Sequence, residues 1–85
     1  MSYQVLFTPR AVRDIRRLQP ELQQRLLKAI AALGDNPRPQ GCEKVRGSDE
    51  WRIRVGDYRV RYRIDDSQHQ VIVTRIGHRN EIYDV

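Results

Sequence analysis

The stretch that decides the fold is residues 51–64, W-R-I-R-V-G-D-Y-R-V-R-Y-R-I. It alternates with a period of two on both sides of Gly56-Asp57. Trp51, Ile53 and Val55 fall on one side, and Arg52 and Arg54 on the other. After the turn, Tyr58, Val60, Tyr62 and Ile64 share a face, with Arg59, Arg61 and Arg63 opposite. Side chains along a strand point alternately to the two faces, so this reads as a tight hairpin with one apolar and one arginine face. Arginines gathered on one side of a small sheet form a surface suited to phosphate groups.

Upstream, residues 3–7 (Y-Q-V-L-F) read as a short strand. Thr8-Pro9 then supplies an N-cap and a proline at the first helical position. Ala11, Ile15 and Leu18 share a helical face with Val12 beside them, while Arg10, Arg13, Arg16 and Arg17 lie elsewhere. Pro20 ends this helix and starts a second, in which Leu22, Leu26, Ile30 and Leu33 repeat at helical spacing and Leu27 and Ala31 widen the stripe. Gly34 is the expected C-cap. The two helices form an antiparallel hairpin, and residues 35–41 are a loop by composition.

Downstream, residues 43–47 read as an irregular segment or a short edge strand. Residues 65–69 make a turn, and residues 71–76 (V-I-V-T-R-I) read as the most apolar strand and a central one. Residues 80–84 read as a short last strand. Asp14, Glu21 and Asp35 read as solvated charges. The expected fold is α+β and a single domain over residues 1–85: an N-terminal strand, a helical hairpin, then a 3–4-stranded antiparallel sheet, in the order β-α-α-β-β-β, with helices on the apolar face and arginines on the open one.

Bulk composition bounds the function. The chain has 85 residues, a formal net charge of +5 and 32% charged residues. Of its 16 basic side chains only Lys28 and Lys44 are lysines. Arginine offers a planar fork that matches phosphate oxygens in pairs, so the balance favours RNA, DNA or an acidic protein as partner. A lone cysteine, Cys42, excludes an internal disulfide and suits a reducing cytoplasm. No apolar run approaches a membrane span, and no signal peptide is evident, so no membrane partner is expected. His69 and His78 stand in no ligand spacing, and no metal or other cofactor is expected.

The arginines would stabilise charge on phosphorus, but they stay protonated and cannot carry a proton. Residues 77–83 (G-H-R-N-E-I-Y) supply candidates for that step. A histidine ordinarily titrates near pH ~6.5, and a tyrosine near ~10 unless cations bring it down. The plainer reading is that His78 caps a turn and Tyr83 packs a strand end, and that Arg61 and Arg63 pair with Asp65, Asp66 or Glu81.

The motifs F-T-P-R-A-V-R-D-I-R-R-L (7–18), K-V-R-G (44–47), W-R-I-R-V-G-D-Y-R-V-R-Y (51–62) and I-G-H-R-N-E-I-Y (76–83), in this order, resemble the RelE/ParE superfamily of bacterial toxins, and within it the RelE branch. The resemblance implies the toxin of a type II toxin–antitoxin pair: an mRNA interferase, a ribosome-dependent endoribonuclease acting on A-site codons. There the 2′-hydroxyl attacks the adjacent phosphate without a metal, giving a 2′,3′-cyclic phosphate. It implies catalytic roles for Arg52, Arg54, Arg59, Arg79, Tyr83 and His78, and RNA contacts for Arg61, Arg63, Lys44 and Arg46. Relatives often carry lysine where this chain has Arg52 and Arg54, so proton transfer must fall to Tyr83, His78 or ribosomal groups. The implied partners are a cognate antitoxin, the ribosome with its mRNA, and operator DNA through the antitoxin complex. With Val85 following the motif so closely, the sheet is expected to stay open to an antitoxin segment, and the free toxin to be a monomer. The alternative in the same fold is a ParE-like DNA gyrase poison without nuclease activity; a further one is a non-catalytic binding module.

Overall fold

The structure, a computed structural model, describes residues 2–82. The elements run β1 (Gln4–Phe7), α1 (Pro9–Arg16), α2 (Pro20–Asp35), β2 (Glu43–Lys44), β3 (Glu50–Val55), β4 (Tyr58–Asp65) and β5 (Gln70–His78). They form one five-stranded sheet in the order β1-β5-β4-β3-β2. Gly56, at φ +60, takes the first position of the β3–β4 turn, where a II′-type hairpin needs glycine. Trp51 pairs with Tyr62, Ile53 with Val60 and Val55 with Tyr58, so the apolar residues of both strands meet on one face. The helices cover that face: Leu26, Ile30 and Leu33 of α2 and Ala11 of α1 join Ile53, Val60, Tyr62, Val71, Val73 and Ile76 in the core.

The sheet is mixed rather than antiparallel throughout. β1 runs parallel to β5, from Gln4 opposite Gln70 to Phe7 opposite Val73. Tight turns dictate antiparallel neighbours for β3, β4 and β5, whereas β1 reaches β5 only after the chain has closed on itself, and no local signal sets its direction. β5 is interior, as its apolar sequence led one to expect, but longer. Its alternation breaks where the register shifts, so that Arg61 faces Arg75 and Tyr62 faces Val73. Thr74 is the extra residue, and its Oγ1 donates to Arg61 O at 3.2 Å. This bulge lets Val71, Val73 and Ile76 all enter the core although their spacing changes from two to three.

Beyond Val73 no strand among the described residues lies beside the outer edge of β5, and α1 takes that place. Thr8 N donates to Val73 O (3.0 Å), and the Thr8 side chain caps α1 by accepting from Ala11 N (3.2 Å). Asp14 Oδ2 then accepts from Ile76 N (2.9 Å) and Arg75 Nε (3.1 Å), and Oδ1 from Arg10 Nε (3.2 Å). Asp14 is therefore not a solvated charge; it is 8% exposed and satisfies an edge amide that would otherwise be buried unpaired. Glu21 and Asp35 are exposed as expected.

Three further expectations change. Gly34 does not end α2. It lies inside the helix, where a Cβ would come 3.0 Å from Tyr3 O, and Asn36 is the C-cap. Leu27 and Ala31 do not widen the buried stripe, for both are exposed. Residues 79–82 form a turn rather than a strand, and residues 83 and 84 of the expected strand lie outside the described residues. Tyr62 is fully buried, its OH donating to Pro37 O at 2.7 Å, which ties the proline loop to the sheet; burial pushes its phenol pKa up.

Candidate active site

On the open face, antiparallel pairing sets Arg54 opposite Arg59, Arg52 opposite Arg61, and Glu50 opposite Arg63. The five hairpin arginines thus share a face as the alternation predicts, yet they do not act as one group. Arg61 Nη2 lies 2.7 Å from Glu50 Oε1, with both side chains largely covered, and Arg63 Nη1 lies 4.0 Å from Glu50 Oε2. The counter-ion is Glu50, not Asp65, Asp66 or Glu81. Asp66 instead binds Arg38 (2.9 Å) and accepts from Tyr3 OH (2.6 Å). Asp65 accepts from Ser67 Oγ at 2.8 Å.

At the other end, Arg52, Arg54 and Arg59 meet Arg79 from the C-terminal turn, lining a cleft of about 290 Å³ with Asn80 and Ile82. Two backbone features assemble it. Arg79 N donates to Asp57 O (2.8 Å), which brings the C-terminal turn against the β3–β4 turn. Arg59 Nη1 donates to Tyr58 O (3.2 Å) and Gly56 O (3.4 Å), which holds its guanidinium near that turn. Partial burial, then the cations Arg54, Arg52 and Arg79, push the Arg59 pKa below its ordinary value. It nevertheless stays charged at any usable pH, and the crowding of Arg54, Arg52 and Arg79 around it makes a cluster that would gain from an anion.

One anion is already present. Glu43, on the edge strand β2, accepts from Arg52 Nη2 at 2.5 Å and lies 3.8 Å from Arg54 Nη2. The hydrogen bond from Arg52, then the charges of Arg52 and Arg54, hold its carboxyl below the usual range, so it is a counter-ion and a poor base. The sequence reading missed Glu43 and Asn80. The signal was faint: an acidic residue one position before K-V-R-G, with no pattern to show that it pairs with β3.

The remaining candidates scatter. Lys44 Nζ sits 5.6 Å from the centre of the Trp51 ring, and Arg38 lies 5.4 Å from the same ring. Arg46 is exposed in the loop after β2. His78 is next to Arg79 but does not line the arginine cleft; it borders a neighbouring one with Asp14 of α1 and with Arg17 and Leu18 just after that helix. Tyr83 lies outside the described residues. Among the described residues, no three His, Cys, Asp or Glu side chains stand together as metal ligands would, and no helix is long and apolar enough to cross a membrane.

This architecture, two helices on one face of a mixed five-stranded sheet and an arginine cleft on the other, is a RelE-like fold. A chain in the crystal structure of the toxin–antitoxin complex RelBE2 from Mycobacterium tuberculosis superposes with a TM-score of 0.83 at 32% identity, covering 93% of this chain and 100% of that one. The family model described as the ParE toxin of type II toxin–antitoxin systems matches residues 5–83, and the chain belongs to this RelE/ParE superfamily of toxins. It is 35% identical over 85 residues to the toxin RelG of M. tuberculosis, covering 98% of both chains. It is 28% identical over 88 residues to the mRNA interferase toxin RelE of Escherichia coli, covering 98% of this chain and 92% of that one.

Proposed function

We propose that this toxin is a ribosome-dependent mRNA endonuclease of the cytoplasm that cuts A-site codons without a metal or other cofactor. The observation that carries the reading is the convergence of Arg52, Arg54, Arg59 and Arg79 on one cleft. The 2′-hydroxyl attacks the neighbouring phosphorus, the P–O5′ bond breaks, and the products are a 2′,3′-cyclic phosphate and a 5′-hydroxyl. The dianionic phosphorane gains from fixed cations in a way the singly charged diester does not, which is the differential binding that lowers a barrier. Arg59 and Arg79 stabilise that charge. Arg52 and Arg54 orient the backbone, and Arg61, Arg63, Lys44 and Arg46 supply flanking RNA contacts. Because no arginine can carry the proton, and His78 lies outside the arginine cleft, its transfer falls to Tyr83 or the ribosome.

An open cleft on an 85-residue domain binds RNA without holding it in line. A ribosome that fixes the codon supplies the orientation, worth up to about 7–11 kcal/mol in well-aligned systems. A relative is seen in a toxin–antitoxin complex. An antitoxin with an acidic segment fits the arginine face here, and the pair would reach operator DNA through the antitoxin.

The test is purified protein with mRNA, with and without ribosomes, read by primer extension. Cleavage at A-site codons that needs ribosomes and falls in Tyr83→Phe supports the reading; efficient cutting of naked mRNA, or none in either case, overturns it. A second reading, a DNA gyrase poison, is favoured by the description of the matching family as ParE toxin. Gyrase-dependent DNA cleavage with intact mRNA would select it.

A further inference from the structure

Residues 78–82 fold back in a single helical turn, with Glu81 N and Ile82 N both donating to His78 O (2.7 and 3.3 Å). At its head two reciprocal bonds form. Asn80 N donates to His78 Nδ1 (3.1 Å), and His78 N donates to Glu81 Oε1 (3.2 Å). This is the bonding of a capping box: the cap side chain takes an orphan amide of the first turn, and an acidic side chain three residues on takes the cap's own amide. Histidine stands here where serine or threonine is usual.

Nδ1 can accept only while it carries no proton. The bond from Asn80 therefore requires an unprotonated Nδ1. A lone pair engaged by Asn80 is not available to take a proton from a 2′-hydroxyl. The ring also lies outside the arginine cleft: it packs edge-on against Tyr58, centroids 5.4 Å apart. Arg79 sits between the two capping residues, and its own amide is tied to Asp57 O (2.8 Å), so the box fixes the backbone from which Arg79 enters the cleft.

We infer that His78 and Glu81 form a capping box that positions Arg79, that His78 acts through this hydrogen bond and not by carrying the reaction's proton, and that acid weakens the site by protonating Nδ1. The inference rests on the endonuclease reading for its activity readout, though not for its structural one. The titratable and charged groups around the ring are Tyr58 of β4, Asp14 of α1, Arg17 at the C-cap of α1, and Glu81 and Arg79 of the turn. A protonated Nδ1 would turn an N–H toward the Asn80 N–H, and the cap would open.

Two variants separate the roles. His78→Asn places an amide oxygen near the position of Nδ1 and keeps the cap with no titratable group. His78→Gln carries its polar end out toward the position of Nε2 and loses the cap. The Asn variant is expected to cleave ribosome-bound mRNA within about twofold of wild type and to keep its rate on acidification where wild type declines, while the Gln variant falls about fivefold, the worth of a typical cap. Equal rates in the Asn and Gln variants, or an acid decline in the Asn variant identical to that of wild type, would overturn the inference. The Asn80 amide of the wild-type protein gives a second readout by ¹⁵N NMR. Its resonance is expected to move with the titration of the His78 ring, and an Asn80 amide indifferent to that titration refutes the box. Wild-type protein that leaves mRNA intact sinks the endonuclease reading alone, and the Asn80 titration then still decides the box.

Discussion

The two ends of the arginine face use one residue type to opposite ends. Toward the middle of β4, Arg61 meets Glu50 at 2.7 Å in a pair whose side chains are 17% and 15% exposed, and the charges cancel inside the protein. Toward the β3–β4 turn, four arginines line one cleft, where the half-exposed carboxylate of Glu43 contacts Arg52 and Arg54. A paired and covered arginine holds the sheet; a crowded one that still meets solvent is set up for an outside anion. Counting arginines on a face therefore says little until their counter-ions are known.

Four experiments bear on that contrast. The largest effect is expected at the crowded end: Arg59→Ala and Arg79→Ala should each lower ribosome-dependent cleavage by about 10²–10³-fold, as losing one donor to a transition-state oxyanion does, with little change in melting temperature. Arg61→Ala should do the reverse. It strands Glu50 in a covered site and costs about 1–3 kcal/mol of stability by chemical denaturation, with cleavage by the folded fraction within a few-fold of wild type. A large cleavage loss at Arg61 with unchanged stability would erase the distinction between the ends.

Glu50→Gln releases Arg61 and Arg63 without removing them. Binding of single-stranded RNA should then grow more salt-dependent, the log–log slope steepening by roughly 0.7 for each new phosphate contact. An unchanged slope would mean that these arginines cannot reach RNA even when freed. The smallest effect is expected for Glu43→Gln, which removes the internal competitor for Arg52 and Arg54 and should tighten RNA binding a few-fold. Because arginine holds the Glu43 carboxyl low, its ion pair contributes fully above the ordinary carboxylate pKa of about 4.3 and is lost only as the pH falls through a lower value. The gain should thus be the same at slightly acid and slightly alkaline pH, and a gain confined to one of them would point to a different group.

Much of this arrangement was legible from residue order. The period-two pattern of residues 51–64, broken by Gly56-Asp57, located β3, β4 and both of their faces. Thr8-Pro9 marked the start of α1 and Pro20 that of α2. The motifs from residue 7 to residue 83 pointed to the superfamily and to Arg52, Arg54, Arg59 and Arg79 together. The readings of β3, β4 and the two helix starts succeed because turn chemistry and side-chain alternation are properties of neighbouring residues, and short-range sterics suffice to impose them.

Other features followed only from the closed chain. The parallel partnership of β1 with β5, the bulge at Thr74, the burial of Asp14 against the edge of β5, and the choice of Glu50 and Glu43 as counter-ions all join residues that the sequence keeps apart. Each depends on register, and register is settled when the whole core is buried at once. By itself the sequence determined which residues face the core and which face outward along the hairpin. Only the tertiary structure decided which outward arginines are neutralised and which converge on a cleft, because the energy of a charge depends on neighbours brought within a few ångströms by long-range packing.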